Sequence, residues 1–298
     1  MAAPRVAISR CAPLRSVRPK PPLWWVGGKR RLIRQFGPLL PKKPWDLYIE
    51  PFFGGGAVFF HLVSSLLFHR GPTGAILIDK NEELINFYRV VRDNLEELLA
   101  DLRKHEITAE YFYRMRALNS KKLTPVQRAS RFLYLSKTGY RGMWRVDREG
   151  QYNVRFGWQK NPKDIERLID EPNLRLVSRA LARPGVYLLH GDYRLSLFWA
   201  GPGTFIYLDP PYYPLQAARN TFYTHGGFDE EDQRRLAEVF RALDRRGCLV
   251  MLSNSETPFI RELYAGYDIR VVYSRAKINS ISDKRGPTPE LVIRNYRD

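Results

Sequence analysis

The sequence predicts a doubly wound α/β chain whose open sheet is interrupted by a mainly helical insertion carrying a β-hairpin. Three observations predict it. A strand, a glycine-rich turn, a helix and a second strand ending in an acid run from residue 46 to residue 79. Apolar strands alternating with amphipathic helices return from residue 186 onward. Between these halves, over about 82–165, the chain turns to helices and then to a basic, alternating stretch.

Each element has its own signal. Residues 46–50 form a short buried strand that meets Pro51 and then Gly54, Gly55 and Gly56. Ala57 to Phe68 is apolar over a helical length, and Ala75 to Asp79 is a second buried strand. Residues 82–103 carry Leu84, Ile85, Tyr88, Val91 and Leu95 at helical spacing. Two further helices are expected over 108–118 and 125–136. Gly150 between Val146 and the alternating Tyr152, Val154 and Phe156 predicts a hairpin over 143–157. Strands follow at 186–189, 204–208 and 248–252, with helices at 229–245 and 258–264. Residues 268–274 and 290–296 read as a closing antiparallel pair.

Charge is placed unevenly. The net charge is +18; residues 1–43 hold eleven basic residues and no acid, and residues 111–165 hold thirteen basic and three acidic ones. Two basic regions in an otherwise balanced chain predict a polyanion-binding surface, although a merely solvated basic face and the preference for Arg over Lys offer a plainer account. Residues 1–20 are rich in Arg and Pro without an apolar stretch, so a basic flexible arm is expected rather than a secretory signal. No apolar run of membrane-spanning length exists, so no membrane partner is expected. Cys11 and Cys248 match neither a metal spacing nor a disulfide framework, which points to a reducing, cytoplasmic setting.

Three motifs carry chemistry. In Glu50-Pro51-Phe52-Phe53-Gly54-Gly55-Gly56, glycines after a buried strand let the backbone approach a ligand at a helix N-terminus. Asp79 ends the next strand, 23 residues after Gly56, where a carboxylate accepts from ribose hydroxyls. This pair fits NAD, FAD or S-adenosylmethionine. Trp24-Trp25-Val26-Gly27-Gly28-Lys29 forms a tight turn that presents an ammonium to an anion such as a carboxylate; it lacks the spacing of a phosphate-binding loop, and a plain surface turn is the alternative.

Asp209-Pro210-Pro211-Tyr212 is the most informative motif. It follows an apolar strand and so lies at the carboxyl edge of the sheet. The Asp209 carboxylate and the Pro210 carbonyl can together accept both protons of an exocyclic amine, on a turn stiffened by Pro211, while Tyr212 stacks on the attached base. Two acceptors pull that nitrogen toward sp3 geometry and aim its lone pair at a methyl sulfonium, so positioning and electrostatics do most of the work. A simple Asp-Pro turn would need none of the surrounding motifs.

Together these motifs resemble those of the Dam-type, or alpha-group, DNA adenine-N6 methyltransferases, from about Leu23 to Asp298. The matching residues are Trp24 to Lys29, Glu50 to Gly56, Asp79-Lys80-Asn81, Phe132 to Leu135, Gly150 to Val154 with Gly157, Asp209 to Tyr212 and Ser253-Asn254. The resemblance implies a Rossmann-like S-adenosylmethionine-dependent methyltransferase sheet. Residues 21–81 and 166–298 would form the catalytic domain, and 82–165 an inserted DNA target-recognition domain. It implies S-adenosyl-L-methionine as cofactor, held by Trp25, Gly28, Lys29, Glu50, Phe52, Gly54, Gly56, Asp79, Asp192 and Asp209. Asp209, Pro210, Pro211 and Tyr212 would hold a flipped adenine, since N6 is out of reach in the stack. Double-stranded DNA would be met by Trp24, Tyr140, Arg141, Met143, Arg145 and Arg155, with Tyr140 wedging into the stack and Arg145 reading guanine; Tyr140 and Trp144 have packing as the alternative role. Restriction–modification is a known setting of such enzymes, with a cognate endonuclease as functional partner, and the nucleoid the expected location.

Other classes fit less well. Cytosine-N4 enzymes share the pocket logic but more often carry Ser in place of Asp209. A non-catalytic DNA-binding module has no need of the tetrapeptide or the glycine turn, and a dehydrogenase leaves the tetrapeptide and the basic hairpin unexplained. No metal is expected, because the leaving group is already a sulfonium and no ligand cluster is visible. GATC is the target the resemblance suggests. Departures at Trp24, Arg141 and Arg155, where the family has Lys, Asn and Pro, predict altered outer-base discrimination.

Overall fold

The computed structural model describes residues 18–64, 74–147, 149–157, 164–214, 228–274 and 287–297. Seven strands form one sheet: β1 (Leu47–Glu50), β2 (Gly74–Asp79), β3 (Val186–His190), β4 (Thr204–Leu208), β5 (Leu249–Ser255), β6 (Asp268–Ser274) and β7 (Thr288–Arg294). Their order is β3-β2-β1-β4-β5-β7-β6. The first five are parallel, and β7 runs antiparallel to both β5 and β6. The chain steps outward from β1 to β2 and β3, then returns to β4 on the other side of β1. The carboxyl ends of β1 and β4 therefore flank the point where the winding reverses, the place where open α/β sheets bind ligands.

Strand side chains alternate between two apolar layers. Tyr48, Leu77, Phe205 and Tyr207 face one core; Ile49, Ile76, Ile206 and Leu208 face the other. Burial on both faces explains why β1, β2 and β4 read as continuous apolar runs, whereas β3 at the sheet edge exposes Tyr187. The first core is covered by α1 (Ile33–Phe36), α2 (Ala57–Val63), α3 (Glu82–Asp93), α4 (Leu95–Leu102), α5 (Ala109–Ala117), α6 (Pro125–Thr138), α7 (Ile165–Ile169) and α8 (Glu171–Leu181). The second is covered by α9 (Glu230–Arg245) and α10 (Pro258–Leu263).

Several expectations change in detail. The helix read over 82–103 is two helices, because Asn94 leaves helical geometry (φ −133°, ψ 42°) and ends α3 as it begins α4. The hairpin over 143–157 is a turn without a regular ladder: among the described residues it holds isolated bridges, Val146 with Tyr152 and Gly139 with Phe156. The Gly150 amide donates to Asp147 (3.1 Å) and Asn153 to Arg145 (3.0 Å), which closes it. Of the arm expected over 1–20, residues 1–17 lie outside the described residues, whereas Lys20 is pinned to α8 through both its backbone groups and Asn173. Helices α7 and α8 lie where no element was read. Among the described residues no helix is long and apolar enough to cross a membrane.

Candidate active site

Four strand ends supply the site. Glu50 closes β1 and is buried; its carboxylate accepts from the Tyr48 hydroxyl at 2.8 Å, and burial raises its proton affinity well above the usual range. The chain then turns through Gly54 (φ +48°), a left-handed conformation that favours glycine. Asp79, at the end of β2, accepts from the Gly54 amide (2.9 Å) and the Asn81 amide (2.9 Å). One carboxylate thus ties the second strand to the glycine turn of the first. Burial raises its pKa, opposed by those two N–H donors. Asp192, beyond β3, caps the turn at Tyr193 and pairs with Arg194 at 2.7 Å. Phe52 stacks on Tyr193 at 5.2 Å.

The Trp24–Lys29 turn lies over this edge. A Cβ on Gly54 would stand 2.9 Å from the Trp25 indole nitrogen, so Trp25 sits against bare backbone. The exposed Gly28 closes the turn by donating to Trp25 (3.2 Å). Lys29 is 5% exposed, and its ammonium is 2.8 Å from the Asp209 carboxylate, 2.6 Å from the Gly27 carbonyl and 4.5 Å from the centre of the Tyr212 ring. First motif and tetrapeptide, 180 positions apart in sequence, meet at one ammonium. Burial pushes the Asp209 pKa up to about 6, against the opposing pull of Lys29. Tyr212 is likewise raised by burial and then by Asp209.

The tetrapeptide is braced from residues that the sequence did not single out as functional. Gln233 on α9 donates to the Pro211 carbonyl (2.9 Å) and accepts from Asn254 (2.9 Å). Asn254 and Ser255 on β5 hold the amide and the carbonyl of Tyr213 (3.0 and 2.6 Å). Glu290 on β7 accepts from the Tyr212 hydroxyl (2.8 Å). Asn254 had a local signal in Ser253-Asn254. Gln233 and Glu290 had none, since a polar residue on an amphipathic helix or an edge hairpin reads as solvated.

A second cluster lies beside Trp24. Its Cβ would be 2.5 Å from a Cβ placed on Gly142 (φ +64°), and its carbonyl accepts from Ser136 (3.1 Å), so the first motif packs directly on the 140–142 turn. In that turn Arg141 adopts φ +56°, rare for a residue with a side chain. The Tyr140 ring carries two guanidiniums, Arg155 at 4.4 Å and Arg141 at 5.1 Å. Arg145 is exposed, and its Nε donates to Asn153 at 2.8 Å. Met143 is half-buried against the core. Trp144 is a packing residue, buried 4.1 Å from the Phe132 ring centre.

The basic excess divides in two. Arg128 pairs with Glu82 and Glu83, Arg131 caps the carbonyls of Met115 and Arg116, and buried Lys137 donates to Leu168. Arg141, Arg145 and Arg155 stay exposed on one turn and the strand-like segment beside it.

Residues 25–280 match the family described as D12 class N6 adenine-specific DNA methyltransferase. The chain is 38% identical over 296 residues to the type II methyltransferase M.MjaIII of Methanocaldococcus jannaschii, covering 93% of this chain and 99% of that one. It is 37% identical over 279 residues to the type II methyltransferase M1.LlaDCHI of Lactococcus lactis subsp. cremoris (91% and 94%). To the DNA adenine methylase of Escherichia coli K12 it is 33% identical over 275 residues (91% and 93%). With a family match across most of its length, and with its tetrapeptide set at the winding reversal of the sheet, this chain belongs to the D12 class of N6 adenine-specific DNA methyltransferases.

Proposed function

We propose that the chain transfers a methyl group from S-adenosylmethionine to the N6 amine of an adenine rotated out of duplex DNA, with 21–81 and 166–298 as the catalytic unit and 82–165 as the target-recognition unit. One observation carries the reading: a carboxylate and an aromatic ring, Asp209 and Tyr212, share an ammonium beside the glycine turn. The arrangement supports the reading because it sets a carboxylate and an aromatic face where a cationic nitrogen already lies close to both.

The residues fit the cofactor. Gly54 and Gly56 shape the turn into α2, Trp25 packs on Gly54, Asp79 brings a carboxylate to the same turn, and Phe52 lies beside it. Asp79, Trp25, Lys29 and the glycine turn would hold it, with Asp192 and Glu50 at the margins. When bound, it supplies a methyl group on a cationic sulfur. The chain's own part is to prepare the amine. Asp209 and the Pro210 carbonyl accept its two protons, Tyr212 stacks on the base, and Asp209 is the nearest base for the proton shed on methylation. Lys29 has to shift off the Asp209 oxygen for the amine to take its place, while staying near enough to keep the carboxylate ionised.

Incubating the protein with labelled S-adenosylmethionine and duplex DNA, then digesting to nucleosides, tests the reading. N6-methyladenine is expected. N4-methylcytosine would move the same pocket to cytosine, and no label from a folded protein would leave a binding module.

The family resemblance suggests a target of GATC or a related site, and with Arg145 exposed the site should keep a central A·T step and at least one G·C pair. Arg145→Ala should relax one base position by about 1–3 kcal/mol, and Arg155→Ala should change discrimination at an outer base. Competition between GATC duplexes and single-base variants measures both. Strict GATC methylation unaltered in Arg155→Ala would remove that residue from specificity. A cognate restriction endonuclease and a place at the nucleoid are the natural setting for this activity.

A further inference from the structure

We propose that Glu290 is a positioning residue of this site: its carboxylate holds the Tyr212 ring by the hydroxyl and sets a second negative charge beside Asp209. The inference rests on the reading of Asp209 and Tyr212 given above.

Tyr212 follows two prolines, and the backbone on either side is already fixed. Gln233 holds Pro211, and Asn254 with Ser255 holds Tyr213. Those bonds set where the ring begins but not how it turns about its own side-chain bonds. At its tip the ring has a hydrogen bond to Glu290 Oε2, at 2.8 Å. Glu290 is placed by the sheet itself, opposite Ser255 on β5 and Val272 on β6. The same strand pairing that presents Ser255 to Tyr213 therefore presents Glu290 to Tyr212.

The carboxylate also has an electrical consequence. A phenol donating to a carboxylate carries more electron density in its ring, which strengthens the attraction of that face for a positive group. In the resting site that group is the Lys29 ammonium, 4.5 Å from the ring centre. During methylation positive charge grows on the amine stacked there. Asp209 is faced by Lys29, Glu290, Glu50 and the Tyr207 and Tyr212 phenols. Lys29 draws its proton affinity down, and Glu290 draws it up. Glu290 thus keeps Asp209 a better proton acceptor than it would be alone.

The test compares Glu290→Ala, Glu290→Gln, Tyr212→Phe and the Tyr212→Phe/Glu290→Ala double variant. Readouts are single-turnover N6-methyladenine formation across pH, thermal melting, and fluorescence of a duplex carrying 2-aminopurine at the target position. Glu290→Ala and Tyr212→Phe should each lower the rate roughly ten- to a hundredfold. Both should alter the fluorescence of the extruded base without methyl donor, and the double variant should be no worse than the poorer single one. Glu290→Gln keeps an acceptor but not the charge. It should retain most of the rate at its optimum and move the acid limb of the profile to lower pH. Additive losses, an unmoved acid limb in Glu290→Gln, or a folded Glu290→Ala at wild-type rate would overturn the inference while the methyltransferase reading stands. A wild-type chain that methylates no adenine overturns both.

Discussion

Asp209→Ala is expected to abolish methyl transfer, lowering turnover by about 10²–10³-fold or more, while the fold survives. The side chain stands past the end of β4, and its partner is Lys29 rather than either apolar core. Lys29 keeps its bond to the Gly27 carbonyl in the variant, so the new cavity does not leave the ammonium without an acceptor. What is lost is the acceptor that localises the lone pair of the amine. Single-turnover rates alongside thermal melts decide this; a folded variant with more than a few percent of wild-type turnover would remove Asp209 from the chemistry. A pH dependence accompanies the prediction. Burial holds the Asp209 pKa near 6, and only the ionised form accepts from both the amine and its departing proton. The wild-type rate should therefore fall as pH drops through about 6. Asp209→Asn keeps one acceptor oxygen but has no such titration, and its residual rate should lack that acid limb.

The sheet was legible because β1, β2 and β4 are buried on both faces and each runs into an acid at its end. Those ends, at Glu50, Asp79 and Asp209, are also where the candidate site lies, so the sequence could name its polar anchors. Tertiary partners were harder to read. The Lys29–Asp209 ion pair spans 180 positions and depends on the first turn folding back across the sheet edge. Gln233 and Glu290 are ordinary polar residues until the helix and the hairpin bring them to the tetrapeptide. The break at Asn94 escaped notice because apolar spacing continues from α3 into α4, and only the backbone angles reveal it. Net charge overstated the exposed, unpaired basic surface, since it counts Arg128, Arg131 and Lys137 equally with Arg145 although those three serve internal pairs and caps.

Lys29→Ala is the second large effect, and its sign depends on two opposed terms. In the resting site the ammonium occupies both the Asp209 acceptor and the face of Tyr212, the two features the target amine needs. Removing it clears the pocket, which favours entry of the base. It also strips Asp209 of the cation that draws its pKa down, while burial and Glu290 continue to draw it up. A contact of 2.8 Å at low exposure is a strong one, and each unit of displaced pKa corresponds to about 1.4 kcal/mol. Asp209 in the variant should then be largely protonated at neutral pH, with its acceptor function lost in most molecules. The second term wins, and the rate at pH 7 should fall by about 10²-fold. Because the cause is protonation, the loss should shrink as pH rises, and the acid limb should sit at higher pH than in wild type. Rate profiles from pH 5 to pH 9.5, with titrations of S-adenosylmethionine at each end, separate this from a direct role. A loss equal at every pH, with weakened cofactor binding, would make Lys29 a cofactor ligand first. An undiminished rate at pH 7 would show that the ion pair belongs only to the resting enzyme.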